Sequence, residues 1–534
     1  MFRQKAFRLD FSQFVYALFF LVMAFTVILL VFGQTEYAWK RSFLLENSVL
    51  LCVGGLAGFA GIAAIGRWKK FRGILEKESD RAVSVLTKLL FAVQVYVCYS
   101  AYFQTGWDVA EITGGASALA SGQPLGNAAY FSRYPNNVFL LYLFSLIRKV
   151  EMNFGILDTA EGYMGILCVQ CLLSSLTGLL LFKTVRCLSG NFGAWCAWAA
   201  YIVLVGSSGW LMIPYSDSMG LFFPVAILYL YRLTQNECYI KQKWMVIGAI
   251  SIVGYRIKPQ ILLVLIAVVI TECFRRKKGL MQRGGLQKSG IPAALAGVII
   301  SIILTSVLVR DITVQIDREM AFGPTHFIMM GLNSVNDGGY LESDVDFSGS
   351  FAGVPERTRA NLEVSGQRLK EMGAAGFGSH LVKKLLSAYG DGTFAWRMEG
   401  NFICYSGELK NRFLSPALRN VIWGSGMANS ANELLKQGGW LCILAASLGM
   451  VGWRRSGDST LLAAVLSIIG LTVFQLMFEV RARYLYIYVP FYILTGVLGA
   501  QKIMRLLTLP FWRWGKSVPS AHPENGNPEM PPGE

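Results

Sequence analysis

The chain alternates long apolar runs with short polar segments, and the apolar runs give the first prediction. Runs of ~20 apolar residues suit helices that cross a hydrocarbon layer of ~30 Å. The first run is predicted to be an anchor rather than a removed signal, because a second apolar run follows it soon and no small-residue cleavage motif is present. We predict twelve spans, near residues 14–33, 43–65, 87–106, 163–183, 192–212, 217–232, 244–257, 259–274, 291–309, 438–453, 459–478 and 484–500.

The polar segments between these runs differ in charge. If the spans alternate, one side collects four basic segments, which contain RWKKFRGILEKESDRAVSVLTK, YRLTQNECYIKQK, FRRKKGLMQRGGLQK and WRR. Residues 310–437 fall on the other side, with 13 Lys and Arg against 14 Asp and Glu. Because cytoplasmic loops carry an excess of Lys and Arg, we predict that both termini are cytoplasmic and that residues 310–437 are extracytoplasmic.

A shorter apolar stretch, VFLLYLFSLI at 138–147, would reverse the side of every later loop if it crossed the membrane. Its ten residues are too few to cross ~30 Å. We therefore predict an amphipathic helix that lies in the outer interface.

Composition supports a membrane protein and argues against other classes. Hydrophobic residues make up 54% and charged residues 15% of the 534-residue chain, which lies outside the usual range of soluble domains. The net charge of +16 is carried by short loops rather than by a basic soluble module, so nucleic-acid binding is not expected. Of the ten Cys only Cys404 lies in the long polar loop, and we predict neither a disulfide framework nor a metal-binding Cys pattern.

The predicted fold class is an all-α polytopic membrane protein with about twelve transmembrane helices, one interfacial helix and one large extracytoplasmic loop. Five regions follow: two helices and a basic loop at 1–86, a transmembrane module at 87–309 with an outer loop at 104–162, the extracytoplasmic loop or lid at 310–437, C-terminal helices at 438–505, and a disordered cytoplasmic tail at 506–534.

Ionisable residues gather at the predicted outer ends of the spans. Such residues are costly in a membrane unless they pair or line a wet cavity, so their clustering indicates a functional site. Acids suit proton abstraction, whereas Arg and Lys suit phosphate. The outer turns carry Asp108, Glu111, Arg133, Asp217, Arg256, Lys258, Glu479, Arg481 and Arg483.

Each acid in the first outer segments also has a structural interpretation. In QTGWDVAE, Asp108 is either a site acid or a polar helix end, with Trp107 as an interfacial anchor. Glu111 would share the helix face of Asp108, as a second acid or as a solvated charge. In PYSDSM, a carboxylate in the site is weighed against a helix N-cap formed by Ser216 or Asp217.

The cations of the later turns also have both a structural and a functional interpretation. In GYRIKPQ, Pro259 is predicted to break one apolar stretch into two helices. Arg256 and Lys258 then either extend to lipid headgroups or bind a phosphate. In EVRARYLYIY, Arg481 and Arg483 either belong to an aromatic-rich interface or hold a phosphate, and Arg483 is spaced to pair with Glu479 if the helix continues.

Two further segments carry candidate substrate-binding residues. In YFSRYPNN, Pro135 favours an extended Tyr134, so the segment has a structural explanation, although Arg133 and Tyr134 would face the region of Asp108. His326 lies in the outer loop and is one of three His in the chain. A packed or capping role is the alternative to substrate binding for His326.

The order of these features resembles the GT-C superfamily of integral-membrane glycosyltransferases. The likeness is greatest to bacterial polyprenyl-phosphate-sugar enzymes related to protein O-mannosyltransferases and to the lipid A aminoarabinose transferase. The resemblance extends from about residue 87 to residue 274, and the EVRARYL turn near the C-terminus is a further feature in common. It does not extend in detail to 310–437, and the first two helices precede the usual first span of that superfamily.

This resemblance implies an enzyme of the bacterial plasma membrane that transfers a sugar from a polyprenyl-phosphate donor to an extracytoplasmic hydroxyl, with inversion. The acceptor would be a cell-envelope glycan, a lipid or a protein. Asp108 would deprotonate or orient the acceptor, and Arg481 or Arg483 would hold the donor phosphate with help from Tyr484. No cofactor is required, and a divalent cation at Asp108 and Asp217 stays an open alternative.

Two other classes of protein remain as alternatives. A transporter or lipid flippase would also have intramembrane charges, but it should show an internal repeat and broken helices at mid-membrane depth. A non-catalytic partner of polysaccharide export would tolerate loss of the acids. The charges at one face, and the lack of a visible repeat in the sequence, favour the transferase.

Overall fold

A computed structural model describes most of the chain. The described residues are 11–32, 79–155, 163–235, 238–277, 290–400, 402–406, 409–424, 426–453 and 458–506, with single positions between 54 and 73. Most of the predicted second span at 43–65, and the tail after residue 506, lie outside the described residues.

The described residues up to 308 are mainly helical. Their helices are α1 (Phe11–Phe32), α2 (Ser79–Ala101), α3 (Trp107–Ala120), α4 (Ala128–Arg133), α5 (Val138–Asn153), α6 (Met164–Tyr201), α7 (Ser216–Gly220), α8 (Phe222–Leu233), α9 (Ile240–Ile257), α10 (Leu262–Lys277) and α11 (Gly290–Leu308).

The second half of the chain is also mainly helical. Its helices are α12 (Arg310–Thr313), α13 (Pro324–Gly331), α14 (Glu342–Gly349), α15 (Val354–Tyr389), α16 (Leu414–Ile422), α17 (Met427–Ser447), α18 (Ser459–Met477) and α19 (Val489–Leu506). Residues 310–437, predicted as a loop, are therefore largely helical, and the next span begins at Met427 rather than at residue 438.

Among the described residues, seven helical segments are long and apolar enough to cross a membrane. One of them, Met164–Gly206, covers two predicted spans, which meet at a kink where Gly190 has φ 78°. Helix α7 continues into α8 through Leu221, which has helical backbone angles (φ −54°, ψ −36°), so residues 216–233 form a helical stretch ~27 Å long at 1.5 Å per residue, close to a full hydrocarbon layer. The membrane class is confirmed, and the count of twelve spans stays a prediction.

The predicted break at Pro259 is confirmed. Helix α9 ends at Ile257, a 3-10 turn covers Pro259–Ile261, and α10 begins at Leu262. Helix α9 then packs closely along α11, because a Cβ on Gly248 would lie 2.0 Å from the Ala294 carbonyl oxygen. Small residues permit this approach of membrane helices, and they fix where the GYRIKPQ turn lies.

Within the ranges that the structure describes, one pair of short strands departs from the all-α prediction. Strand β1 (Phe103–Thr105) pairs antiparallel with β2 (Ile403–Ser406), so that Phe103 lies opposite Ser406. The predicted span at 87–106 therefore ends as a helix at Ala101. The short ladder connects two segments ~300 residues apart in sequence and leads directly into α3.

Helix α5 corresponds to the predicted interfacial helix and continues to Asn153. It packs along α3 and buries the side chains of Leu140, Leu141 and Phe144 against the core. A helix is confirmed at this position, whereas its depth in the membrane interface stays a prediction.

Aromatic side chains hold the end of α15 and the residues after it onto the C-terminal helices. At the end of α15, Tyr389 Oη lies 2.7 Å from Tyr492 Oη, and the Tyr389 carbonyl accepts a hydrogen bond from Trp440 Nε1 at 2.8 Å. The ring of Phe394 packs edge-on against Trp440. These buried contacts place the residues that follow, 396–400, beside the start of α19.

The predicted sidedness leads to a labelling test. Ser343 and Gln242 are both exposed, and they lie in segments predicted outside and inside the cell, respectively. In a chain whose exposed Cys are replaced by Ser, Ser343→Cys should react with an impermeant thiol reagent on intact cells. Gln242→Cys should react only after permeabilisation. The reverse pattern would contradict the assigned topology.

Candidate functional site

Asp108 lies in the first turn of α3, where its carboxylate contacts two tyrosines. Its Oδ2 accepts a hydrogen bond of 2.7 Å from Tyr215 Oη, and the hydroxyl of Tyr130 also bonds to it. Burial and the adjacent Asp108 raise the pKa of Tyr215 well above its usual value, so this phenol stays protonated and donates. The beginning of a helix also favours a carboxylate. Asp108 is thus a hydrogen-bond acceptor held in a fixed orientation.

The neighbouring Trp107 has an uncommon backbone conformation. Its φ is 48°, a left-handed value that costs a non-glycine residue ~1–3 kcal/mol and persists only where surrounding contacts fix it. Here the indole Nε1 donates to Thr105 Oγ1 at 2.9 Å, and the ring packs edge-on against Tyr215 at 5.0 Å. An interfacial-anchor role for Trp107 does not account for these contacts.

Arg483 contacts the same two aromatic rings from the other end of the chain. Its guanidinium carbon lies 4.9 Å from the centre of the Trp107 ring and 5.4 Å from that of Tyr215. Contacts of this kind are worth ~2 kcal/mol or more where water is excluded, and Arg483 is 7% exposed. One tyrosine therefore separates the carboxylate of Asp108 from a buried guanidinium.

Glu399, which sequence reasoning did not single out, bridges the two arginines. Its Oε2 lies 2.8 Å from Arg481 Nη1 and 3.4 Å from Arg483 Nε. It belongs to a turn that follows two residues with left-handed backbone, Phe394 and Ala395. The available signal was charge balance, because buried arginines require buried counter-charges. The sequence does not show which acid of the outer segment supplies that charge.

Glu479 lies on the other side of Arg481. Its Oε1 is 2.7 Å from Arg481 Nε, and its Oε2 accepts a hydrogen bond from Tyr484 Oη at 3.0 Å. The predicted pairing of Glu479 with Arg483 required a continuous helix. The chain instead enters a 3-10 turn at Ala482, so Glu479 pairs with Arg481 and that prediction is wrong.

Lys258 and Asp217 form a buried ion pair, with Lys258 Nζ donating to Asp217 Oδ1. Lys258 is 4% exposed and Asp217 is fully buried. Lys258 Nζ also lies 4.9 Å from the centre of the Tyr484 ring, which joins this pair to the Arg481 region. The N-cap interpretation is wrong, because α7 has Tyr215 at its N-cap position and no side-chain capping bond.

These contacts make one connected group, which we call the acid–arginine cluster. It joins the beginning of α3, the PYSDSM, GYRIKPQ and EVRARY turns, and the turn that contains Glu399. Its members are Asp108, Tyr215, Asp217, Lys258, Glu399, Glu479, Arg481, Arg483 and Tyr484.

The structure does not bring Arg256 and Glu111 into this cluster. Arg256 Nη2 donates to Ser306 Oγ on α11 at 2.9 Å. Arg256 is in the last turn of α9, whereas Lys258 lies beyond its end with extended backbone (φ −150°, ψ 114°), so the two side chains leave the chain in different directions. Glu111 Oε2 accepts a hydrogen bond from Asn127 at 3.0 Å, and Asn127 caps α4.

Tyr134 and Arg133 lie at the margin of the cluster. The ring of Tyr134 packs 5.2 Å from Tyr130 and 5.4 Å from Phe322. Burial, followed by the negative charge of Asp108, raises the pKa of Tyr134. The main-chain carbonyl of Arg133 accepts a hydrogen bond from the amide of Phe322 at 2.9 Å, so this segment also positions the chain just before α13.

His326 is packed inside the outer segment rather than placed in the cluster. Its Nδ1 lies 2.7 Å from Ser348 Oγ, and its ring lies 4.3 Å from that of Phe322. Burial lowers the pKa of His326 to about 4, so the ring is neutral at physiological pH. These contacts agree with the structural interpretation of His326.

A lysine outside the predicted site anchors α15 to the end of α13 and to the residue that precedes the EVRARY turn. Lys384 Nζ on α15 donates to the carbonyls of Gly331 and Phe478, each at 2.7 Å. His380 Nε2 lies 2.9 Å from the same Gly331 carbonyl. Burial lowers the pKa of Lys384 from 10.5 to about 7, and the charge of Glu479 opposes that shift.

This lowered pKa predicts a pH-dependent stability. Between pH 7 and 10.5 the unfolded chain holds a proton that Lys384 has lost in the folded protein, so stability rises with pH across that window, by up to ~1.4 kcal/mol per pH unit. In thermal unfolding between pH 7 and 9, the stability of the wild type should therefore increase relative to that of Lys384→Met. Lys383→Met, which changes the neighbouring and more exposed lysine, is the matched control. Parallel curves for wild type and Lys384→Met would contradict this prediction.

The two carboxylates considered for a divalent cation, Asp108 and Asp217, each have another partner. Among the described residues no group of three or more His, Cys, Asp or Glu is arranged to hold a metal ion. Asp217 is paired with Lys258, whereas Asp108 accepts from Tyr215. Cys168 and Cys171 have a CxxC spacing, so the prediction of no metal-type Cys spacing was wrong at this point. Cys171 Sγ lies 3.7 Å from Cys98 Sγ.

Comparison with known proteins places the chain in a membrane-protein family. Residues 2–504 match the family described as conserved hypothetical integral membrane protein, and the chain belongs to it. No curated protein matches the chain. A solved structure, ArnT from Cupriavidus metallidurans bound to undecaprenyl phosphate, is similar over 80% of each chain with 13% identity and a TM-score of 0.32. A TM-score of 0.32 is too low for conclusions about the site of this chain to be drawn from that structure.

Proposed function

We propose that the chain is a membrane glycosyltransferase of the GT-C type, which transfers a sugar from a polyprenyl-phosphate donor to an extracytoplasmic hydroxyl. The observation that carries the proposal is the pairing of Asp108 with Arg483 across Tyr215. A proton acceptor and a phosphate-binding cation side by side are what transfer from a phosphate leaving group requires.

The cations of the cluster suit a phosphate. Arg483 Nε is a buried donor without a hydrogen-bond acceptor among the described residues, although it has an ion pair of 3.4 Å with Glu399. A phosphate oxygen is a strong acceptor for such a guanidinium. Lys258, near the Tyr484 ring, would supply a second positive charge. Glu399 and Glu479 would keep the guanidinium of Arg481 in position.

The reaction would proceed in a single displacement. The acceptor hydroxyl gives its proton to Asp108 as its oxygen bonds to C1 of the sugar. The bond between C1 and the phosphate oxygen breaks, and its electron pair leaves with the phosphate, so the configuration at C1 is inverted. Proton abstraction contributes ~10²–10⁴ in rate, and Tyr215 holds the carboxylate in place. No metal or cofactor takes part in this scheme.

Donor binding provides the test. The purified chain in lipid nanodiscs would be titrated with a panel of polyprenyl-phosphate sugars, and binding and sugar release measured. Arg483→Gln should weaken donor binding ~10-fold or more because one charge-assisted bond to phosphate is lost. Arg483→Lys should recover part of the affinity, because the ammonium keeps the charge but not the planar fork.

Arg256→Gln is the matched control, since Arg256 lies at the contact of α9 with α11 and should leave donor affinity unchanged. If no lipid-linked sugar binds while a solute moves across vesicles that contain the protein, the transporter alternative replaces the proposal. If Arg483→Gln and Arg256→Gln lose the same amount of donor affinity, Arg483 does not bind the donor phosphate specifically.

A further inference from the structure

A buried glutamine lies beside the segment that carries Tyr215. Gln170 is fully buried and belongs to α6, which is part of a helical segment long and apolar enough to cross a membrane. A buried side-chain amide is costly unless it is hydrogen-bonded. The hydrogen bonds of Gln170 all run to main-chain groups of residues 211–215.

Residues 211–215 interrupt the helical path that leads from α6 to α7. A 3-10 turn ends at Met212, after which Ile213 has φ −98° and Tyr215 has φ −148°. Where the backbone of a membrane protein leaves the regular helix, its polar groups need partners from neighbouring helices. Gln170 supplies such partners at this break.

The side-chain amide of Gln170 uses both its donor and its acceptor. Its Nε2 donates to the carbonyls of Leu211 at 3.3 Å and Ile213 at 3.0 Å, and its Oε1 accepts from the main-chain amide of Tyr215 at 3.2 Å. A carboxylate could not donate to the two carbonyls, and an apolar side chain could make none of the three bonds. The break therefore specifically requires an amide.

Tyr215 is held at its main chain by Gln170 and reaches the acid–arginine cluster with its side chain. Its hydroxyl donates to Asp108 Oδ2 at 2.7 Å, and its ring contacts Trp107 and Arg483. Hydrogen bonds weaken steeply when their length or angle changes. A shift of the Tyr215 main chain would therefore weaken the bond that orients the carboxylate of Asp108.

We infer that Gln170 is a positioning residue, which fixes the main chain of Tyr215 and thereby keeps the Tyr215 hydroxyl on Asp108. The effect on sugar transfer rests on the proposed function, whereas the effect on the position of Tyr215 does not. A misplacement of ~1 Å at a reacting group can lower a rate ~10²-fold. Loss of the Gln170 amide should therefore lower the turnover number more than the donor affinity.

Gln94 on α2 is a matched control for Gln170. It is 4% exposed, and its Nε2 donates to Ser174 Oγ at 3.2 Å and to the Gly206 carbonyl at 2.9 Å. Its Oε1 accepts a hydrogen bond from Ser175 Oγ at 3.0 Å. Gln94 thus has similar burial and the same number of bonds, but its partners precede residues 211–215. A change at Gln94 measures the general cost of removing a buried amide.

The kinetics of the two glutamine variants provide the first test. Gln170→Met keeps an unbranched side chain of similar length but removes the amide. With a polyprenyl-phosphate sugar as donor, kcat should fall ~10–100-fold, whereas the Kd for the donor should change less than ~3-fold. Gln94→Met should change kcat less than ~3-fold, as for a site remote from the chemistry. An unchanged kcat in Gln170→Met, or an equal fall in both variants, would overturn the positioning role.

A double variant tests whether Gln170 acts through Tyr215. Tyr215→Phe removes the hydroxyl that contacts Asp108. Residues that act as one unit have non-additive effects, so adding Gln170→Met to Tyr215→Phe should lower kcat by less than a further ~3-fold. The same ~10–100-fold fall in both backgrounds would show that Gln170 does not act through this hydroxyl.

A fluorine signal at Tyr215 tests the position of the ring without any transfer assay. The full chain in nanodiscs would carry 3-fluorotyrosine at position 215, and Asp108→Asn would identify the shift of the ¹⁹F resonance caused by a changed partner. Gln170→Met should shift or broaden this resonance, and Gln94→Met should not. An unchanged resonance in Gln170→Met would overturn the inference even if sugar transfer is found. The expected response in a chain that transfers no sugar would refute the proposed function and leave the positioning of Tyr215 by Gln170 supported.

Discussion

Asp108→Asn is expected to abolish sugar transfer while the folded protein and its donor affinity are retained. The amide has nearly the same volume and can still accept a hydrogen bond from Tyr215, but it cannot take up the proton of an attacking hydroxyl. Loss of a positioned base lowers the rate ~10²–10⁴-fold. Transfer would be measured with a radiolabelled or fluorescent polyprenyl-phosphate sugar, and donor binding would be measured on the same preparation.

Glu111→Gln is the matched control for Asp108→Asn. Glu111 lies on the same helix but hydrogen-bonds to Asn127 outside the acid–arginine cluster, so its loss should alter transfer by less than ~3-fold, as for a surface change within ~0.5 kcal/mol. Full activity of Asp108→Asn would remove the base from the mechanism. Equal loss in both variants would indicate a structural role for the beginning of α3.

Lys258→Met is expected to destabilise the protein by ~3–5 kcal/mol, since it leaves the buried carboxylate of Asp217 without its partner. Combined with Asp217→Asn, the same change should cost much less, because no uncompensated charge then remains in the interior. Thermal unfolding of the full chain in nanodiscs would compare the two single variants, the double variant and the wild type.

The exposed ion pair of Arg359 with Glu363 supplies the control for this double-mutant comparison. Its nitrogen and oxygen are 3.8 Å apart, and both side chains are more than 70% exposed, so Arg359→Gln should change the stability by ~1 kcal/mol or less. A double variant that is as unstable as the sum of its single variants would show that Asp217 and Lys258 do not act as a pair.

The sequence pattern predicted that Asp108 and Arg483 lie in the same region, but it did not predict which side chains contact them. Asp108 and Arg483 were both expected at outer ends of apolar runs, because runs of apolar residues and loop charge define sidedness. Tyr215 was not expected, since a tyrosine beside an apolar run has the composition of an ordinary membrane interface. Its contact with Asp108 depends on tertiary packing, which a single sequence does not record.

Local rules also failed where the backbone leaves the regular helix. Asp217 follows the composition of an N-cap, but its carboxylate pairs with Lys258. The spacing of Glu479 and Arg483 predicts a helical pair, but a 3-10 turn begins at Ala482. Phe103–Thr105 continues an apolar run and was assigned to a span, because its strand partner lies ~300 residues further along the chain.

Asp108 and Arg483 lie far apart in the sequence, so they are synthesised at different times. At ~5–20 residues per second, about 20–75 s pass between the emergence of Asp108 and that of Arg483. The pair of Asp217 and Lys258 can close much earlier, since its members are 41 residues apart. Until Glu399 and the EVRARY turn are made, Trp107 and Tyr215 lack the guanidinium of Arg483 that packs on them. The acid–arginine cluster is therefore expected to be among the last parts of the nascent chain to assemble, and prematurely terminated chains should expose its residues to membrane proteases.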